Sequence, residues 1–255
     1  MVTLRDSLFW IAANIGMSLA SVPQAAVYRG PAACPDCAEA VAQLLSTSPL
    51  GFNVTFVGPT EAVGINSQVL ALMDVYAQPG GGDVEDAWKD MQQYAKPIQD
   101  FVSSGGRYMG FCVGAYLADN SPGFGLVPQG DGVGEEIAQP GAQINTTDDT
   151  IINVDWTFST GDAAGKTQQK RWLYFQDGAV MNIAQSPTSK ILARYSSNDN
   201  IAASLTPYGK GWVGLVGPHP EATQDWYDDN GFTNPEGLKF DIGYDFIETT
   251  FKGFV

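Results

Sequence analysis

The sequence predicts an α/β fold, a mostly parallel sheet with helices on both faces, continued by an antiparallel β extension in the second half. Three observations predict it. Between residues 25 and 117, short apolar runs of strand length alternate with stretches of helical spacing, the pattern of βα units whose crossovers build a parallel sheet. Beyond Gly123, strand-like runs follow one another across Gly, Asp and Asn turns. No repeat or long low-complexity linker divides the chain, and its 255 residues can bury a full core as one domain.

Residues 25–29 are short and apolar and read as the first strand. A loop follows, and from Cys34 to Leu45 the side chains of Ala38, Val41, Ala42 and Leu45 recur at helical spacing. Residues 52–57 alternate and are rich in β-formers, a second strand, and residues 70–77 give a third, ending at Pro79-Gly80-Gly81-Gly82. Asp83 is the expected N-cap of a helix to about Ser103, with Ala87, Met91, Tyr94 and Ile98 inward and a kink at Pro97. Residues 107–111 are the fourth strand, and residues 113–117 open the next helix. In the second half, residues 135–138, 150–158, 171–175, 191–195, 201–205 and 211–216 read as strands, with Gln176-Asp177-Gly178 as a hairpin turn. Residues 238–251 close the chain as a helix that Gly243 weakens. Right-handed crossovers put the loops after each parallel strand on one rim, so residues 30–37, residues 78–83 and the turn at Cys112 converge there.

That turn is the chemical centre of the chain. Gly110-Phe111-Cys112-Val113-Gly114 places a cysteine between strand and helix with a glycine two positions to either side, the arrangement of a nucleophile elbow. The helix N-terminus would favour the thiolate there. A buried, inert cysteine in a glycine-rich turn is the plainer reading. A thiol nucleophile needs a base, and His219 in Gly217-Pro218-His219-Pro220-Glu221 is the only histidine of the chain. Glu221, two residues on, falls on the same side of an extended segment and can orient the imidazole. The backbone N–H groups of Val113 and of Gly80 or Gly81 are the candidate oxyanion donors.

Gly-x-Cys-x-Gly followed by His-Pro-Glu resembles the class I glutamine amidotransferase-like superfamily, a flavodoxin-like fold with a Cys-His-Glu triad. More narrowly, Val27-Tyr28-Arg29-Gly30-Pro31, Gln78-Pro79-Gly80-Gly81-Gly82-Asp83, the run from Gly110 to Leu117 and Val216-Gly217-Pro218-His219-Pro220-Glu221-Ala222 are similar to the biotin-protein ligase N-terminal domain family. The resemblance supports the oxyanion role of the Gly80–Gly81 loop and makes Arg29 and Tyr116, which lie in these segments, substrate-binding candidates. The glycine- and arginine-rich adenylate loop of a biotin ligase is absent, so biotinylation is not expected, and neither is ammonia delivery to a synthetase.

A formal charge of -15 argues against nucleic acid, and the basic cluster from Lys166 to Arg171 reads as a solvated loop. Arg5 followed by the mostly apolar residues 8–19 and by Ser18-Leu19-Ala20 resembles a secretory signal. Residues 1–20 are therefore expected to be removed, leaving residues 21–255 as a single secreted domain with no membrane anchor. An N-terminal amphipathic helix is the alternative. Asn53-Val54-Thr55 and Asn145-Thr146-Thr147 are glycosylation sequons. In an oxidising compartment Cys34 and Cys37 can form a local disulfide, leaving Cys112 free.

These readings converge on a secreted, thiol-dependent hydrolase or acyl transferase acting on a small amide, ester or γ-glutamyl substrate, with no cofactor and no bound metal. Two alternatives stay open. One is a non-catalytic binder of a small cationic or aromatic ligand, walled by Tyr28, Trp88 and Tyr116. The other is a redox or zinc site built from Cys34, Cys37, Cys112 and His219.

Overall fold

The structure, a computed structural model, describes residues 21–184 and 186–253. The expected signal segment, residues 1–20, lies outside the described residues.

In chain order the elements are β1 (Gln24–Tyr28), α1 (Cys37–Thr47), β2 (Asn53–Val57), α2 (Ser67–Leu70), β3 (Val75–Gln78), α3 (Val84–Met91), α4 (Ala95–Ser104), β4 (Arg107–Phe111) and α5 (Val113–Tyr116). The second half adds β5 (Gly132–Glu135), β6 (Thr150–Thr157), β7 (Thr167–Phe175), β8 (Ala179–Asn182), β9 (Lys190–Tyr195), β10 (Ile201–Tyr208), β11 (Gly211–Val216), α6 (Gln224–Asp229) and α7 (Asp241–Lys252). Nine strands form one sheet in the order β2-β1-β3-β4-β11-β10-β9-β6-β7. From β2 to β11 neighbouring strands are parallel, and from β11 to β7 they are antiparallel. This is the predicted fold class. β11 is the hinge of the design, because it pairs in parallel with β4 and antiparallel with β10.

Alternation along the strands divides the interior into two cores. On β1, Ala25 and Val27 face the side covered by α1 and α7, while Ala26 and Tyr28 face the side covered by α2 to α5. On β4, Met109 and Phe111 join the first core and Tyr108 the second, the period-two signature of a sheet buried on both faces.

Several elements differ from expectation. Residues 70–74 are not strand: Asn66 caps the short α2 through its side chain, and only Val75–Gln78 pairs. The helix from Asp83 is broken into α3, a 3-10 turn at Gln92–Tyr94, and α4. Pro97 is the cause, since its missing N–H and its ring would oppose the carbonyl of Gln93 in a continuous helix, whereas the first turn of α4 tolerates it. Residues 136–138 form a 3-10 turn after β5. The basic cluster is the first half of edge strand β7, not a loop, and Arg171 at its end is buried against Glu236 at 2.8 Å and Asp241 at 2.9 Å. Gln176-Asp177-Gly178 joins two sheets instead of closing a hairpin, because β8 pairs with β5 and not with β7. The C-terminal helix does form. Gly243 serves it, because a Cβ there would come within 2.8 Å of the Leu44 side chain on α1.

Candidate active site

Cys112 stands between β4 and α5 at φ 50° and ψ -109°, a conformation that non-glycine residues rarely adopt. Its N–H is held by the carbonyl of Val216 at 2.9 Å, so β11 pins the turn from beside. The flanking glycines are required by backbone approach. A Cβ on Gly110 would lie 2.4 Å from the Gly114 oxygen, and one on Gly114 would lie 2.2 Å from the Gln78 oxygen. The motif Gly-x-Cys-x-Gly is therefore the price of folding the turn back against β3.

β11 also delivers the histidine. Beyond Val216 the chain bends at Gly217-Pro218, His219 donates its N–H to the Tyr174 carbonyl at 2.9 Å, and the ring lands beside Cys112, His219 Cε1 and Cys112 Cβ lying 2.7 and 3.6 Å from where a Cβ on Gly80 would stand. His219 Nδ1 is 2.8 Å from Glu221 Oε1, which leaves Nε2 as the nitrogen that can serve the cysteine, while Cys112 Sγ donates to the Gln176 carbonyl at 3.6 Å. All three groups are buried: 6 % exposure for Cys112, 4 % for His219 and none for Glu221. Burial alone would lower the imidazole pKa, but the negative charges of Glu221 and Cys112 outweigh it and raise it to about 10. The stabilisation expected from a helix N-terminus has little behind it, since α5 is a single turn of four residues.

The glycine loop divides its work. Gly80 makes room for the imidazole, because a Cβ there would sit 2.7 Å from His219 Cε1. Gly81 and Val113 line the pocket of about 340 Å³ onto which Cys112 opens. The N–H of Val113 begins α5 and has no acceptor within its helix. Tyr116 lines the same pocket and donates its hydroxyl to the Asp177 carbonyl at 3.1 Å; burial first, and the Cys112 charge next, push its pKa up.

Arg29 is elsewhere. Its guanidinium is paired with Glu61 at 2.8 Å and Glu39 at 2.9 Å and stacks 3.9 Å over the Phe56 ring, so it does not reach the Cys112 pocket. Tyr28 is fully buried, and its hydroxyl accepts the Ala32 N–H at 3.2 Å, so it is core and not a pocket wall. Trp88 packs edge-on against Phe124. Of the three expected aromatics only Tyr116 lines the Cys112 pocket, and the aromatic residues around His219 are ones that sequence reasoning passed over. Tyr174 and Trp226 meet the His219 ring edge-on, with centroids 6.2 and 5.2 Å away, and line a second pocket of about 210 Å³ on its far side. The only sequence signal for Trp226 was its place seven residues after His219.

Cys34 and Cys37 form a disulfide at the mouth of that second pocket, and Cys112 is the free cysteine. With both of those sulfurs joined, the three-cysteine zinc set is not available, and among the described residues no cluster of His, Cys, Asp and Glu has metal-binding geometry. Asn53, on β2, and Asn145, in a loop, are exposed.

Residues 24–131 match the sequence model of the family described as biotin-protein ligase, N terminal. Among solved structures, a cytoplasmic protein from Salmonella typhimurium LT2 superposes with a TM-score of 0.53 at 11% identity, covering 89% of this chain and 99% of its own. A second cytoplasmic protein, from Salmonella typhimurium, gives 0.53 at 10% identity, over 90% and 98%. A ThuA-like protein from Bacteroides uniformis gives 0.50 at 13% identity, over 90% and 99%. No curated protein matches the chain by sequence. The chain thus has the glutamine amidotransferase-like fold, and the family match falls on the half that carries Cys112.

Proposed function

We propose, on a glutamine amidotransferase-like fold, that this protein is a secreted thiol-dependent hydrolase or acyl transferase that works through a covalent thioester on Cys112. One observation carries the reading: a free cysteine held at φ 50° beside the chain's only histidine, whose other ring nitrogen is fixed by a buried carboxylate. In this scheme the Cys112 sulfur, as thiolate, adds to the carbonyl carbon of a small amide, ester or γ-glutamyl group. The oxyanion is received by the N–H groups of Val113 and Gly81. His219 Nε2 gives its proton to the leaving nitrogen or oxygen as that bond breaks, and the thioester remains. Water, or an accepting amine, then adds; His219 takes its proton, the C–S bond breaks, and the thiolate–imidazolium pair is restored.

Secretion and modification of the two sequons belong to the same reading, and the Cys34–Cys37 disulfide supports an oxidising compartment. Mass analysis of the exported chain tests them by the loss of residues 1–20 and by added glycan mass.

The catalytic reading is tested by incubating wild-type protein and the Cys112→Ala variant with small activated esters and thioesters. The expected result is an acyl adduct on Cys112 followed by turnover, both lost in the variant. A Cys112→Ala protein that keeps full turnover would sink it.

A further inference from the structure

One carboxylate in the Cys112 pocket has no structural task. Three acidic residues line that pocket. Asp83 accepts the N–H groups of Glu85 and Asp86 as the cap of α3, and Glu135 is exposed to water at the end of β5. Asp177 differs from both. Its Oδ1 is shut off from solvent and has no hydrogen-bond partner. The residue is fixed at φ 45° on the tight link between β7 and β8, next to Gln176, whose carbonyl lies 3.6 Å from Cys112 Sγ. No donor of the protein meets this carboxylate, so its charge stays available, through the part of the residue that lines the pocket, to a ligand that brings one. No lysine or arginine among the described residues lines the pocket, and Arg29 is paired elsewhere, so a carboxylate on the substrate would find no such side chain to pair with there.

We propose that the acyl part of the substrate carries an ammonium or guanidinium group, which binds Asp177 while its carbonyl lies over Cys112. This deepens the catalytic reading and rests on it, narrowing the substrate to a small cationic amide or ester. Burial, and after it the charge of Glu135, raises the Asp177 pKa, and a bound cation would reverse that shift. The second pocket, on the His219 side of Gly81 and Gln176, then receives the leaving group.

The test reads the field at Cys112 without needing turnover. Second-order rates of Cys112 modification are measured with cationic 2-aminoethyl methanethiosulfonate and neutral methyl methanethiosulfonate, each normalised to a small free thiol, in wild type and Asp177→Asn. The cationic-to-neutral ratio is expected to fall about tenfold in the variant, equivalent to about 1.4 kcal/mol. A companion measurement needs no variant: butylammonium should protect wild-type Cys112 from the neutral reagent at concentrations where butanol does not. An unchanged ratio, or equal protection by amine and alcohol, overturns the proposal. The two readings fail separately. Slow labelling by both reagents with an Asp177-dependent ratio refutes the activated nucleophile and keeps the cation site, whereas fast labelling with no dependence on Asp177 does the reverse.

Discussion

Two buried carboxylates in this protein are treated in opposite ways. Asp245, on α7, accepts hydrogen bonds from Trp156 Nε1 at 2.8 Å, from the Ser159 and Thr160 N–H groups at 2.9 and 2.8 Å, and from Thr160 Oγ1 at 2.7 Å. Glu221 meets a single partner, His219 Nδ1, and its Oε2 has none. A saturated carboxylate fixes structure: Asp245 ties the C-terminal helix to the end of β6. An under-satisfied one leaves its charge to act on the one group it touches. The molecule therefore separates carboxylates that hold the fold from those that set the electrostatics of the site, and Asp177 stands with the second kind.

The largest effect concerns the group that Glu221 serves. Cys112→Ala should lower thiol-dependent turnover by at least about 10³-fold. Its midpoint in urea should stay within about 1 kcal/mol of wild type, because a small side chain replaces a small one in a turn defined by Gly110 and Gly114. A large loss of stability would show the elbow to be structural.

Asp245→Ala should act on the fold alone. It strands the Trp156 indole and the Ser159 and Thr160 N–H groups, a loss of about 3 kcal/mol by urea denaturation, with Cys112 labelling unchanged. Glu221→Gln should slow Cys112 alkylation about thirtyfold, and its cost in stability should shrink as pH rises above about 6.5 and the His219 proton it holds is lost, whereas the cost of Asp245→Ala should not. If both variants behaved alike, the division between the two carboxylates would be lost.

How far this division was legible in the sequence follows from distance along the chain. In the parallel half β4 and the Asp83 cap could be read to the residue, because strand alternation and capping are local signals, whereas α2 and the break between α3 and α4 could not. Cys112, His219 and Glu221 were legible because a single histidine leaves one pairing. Arg29 was misplaced because its partners, Glu39 and Glu61, are set by how α1 and the loop after β2 pack, which no local pattern encodes. Asp245, Tyr174 and Trp226 were invisible for the same reason. Asp245 and Tyr174 matter through residues tens of positions away, such as Trp156, 89 positions from Asp245, and Trp226 through a ring contact that its spacing from His219 does not encode. The first half of edge strand β7 was hidden by its own charges, since Lys170 and its neighbours are the polar residues that an exposed edge carries, while residues 171–175 were read as strand.

Titration sharpens the comparison further. His219 is held at about 10 against an ordinary value near 6.5, so the native state binds that proton more tightly than the unfolded chain does. Its contribution to stability is then complete below pH about 6.5 and is lost as pH rises through about 10. The stability difference between wild type and His219→Gln should shrink over that window. In a Glu221→Gln background, where one of the two raising charges is gone, the loss should be smaller and complete at lower pH. A difference independent of pH between 6.5 and 10 would show the ring to be neutral in the folded protein.

The smallest effect falls on a carboxylate that belongs to both regions. Asp83 lines the Cys112 pocket, yet its Oδ1 accepts the Glu85 and Asp86 N–H groups at 2.8 and 3.0 Å, the geometry of an N-cap. If satisfaction decides the role, Asp83 behaves as structure despite its position. Asp83→Ala should then cost about 1 kcal/mol in urea, and Asp83→Asn, which keeps the capping oxygen, only a few tenths. Neither should change the cationic-to-neutral labelling ratio at Cys112 as Asp177→Asn does. A ratio that tracked Asp83 instead would mean that position in the pocket, and not the missing hydrogen-bond partner, marks the carboxylate that reads the substrate.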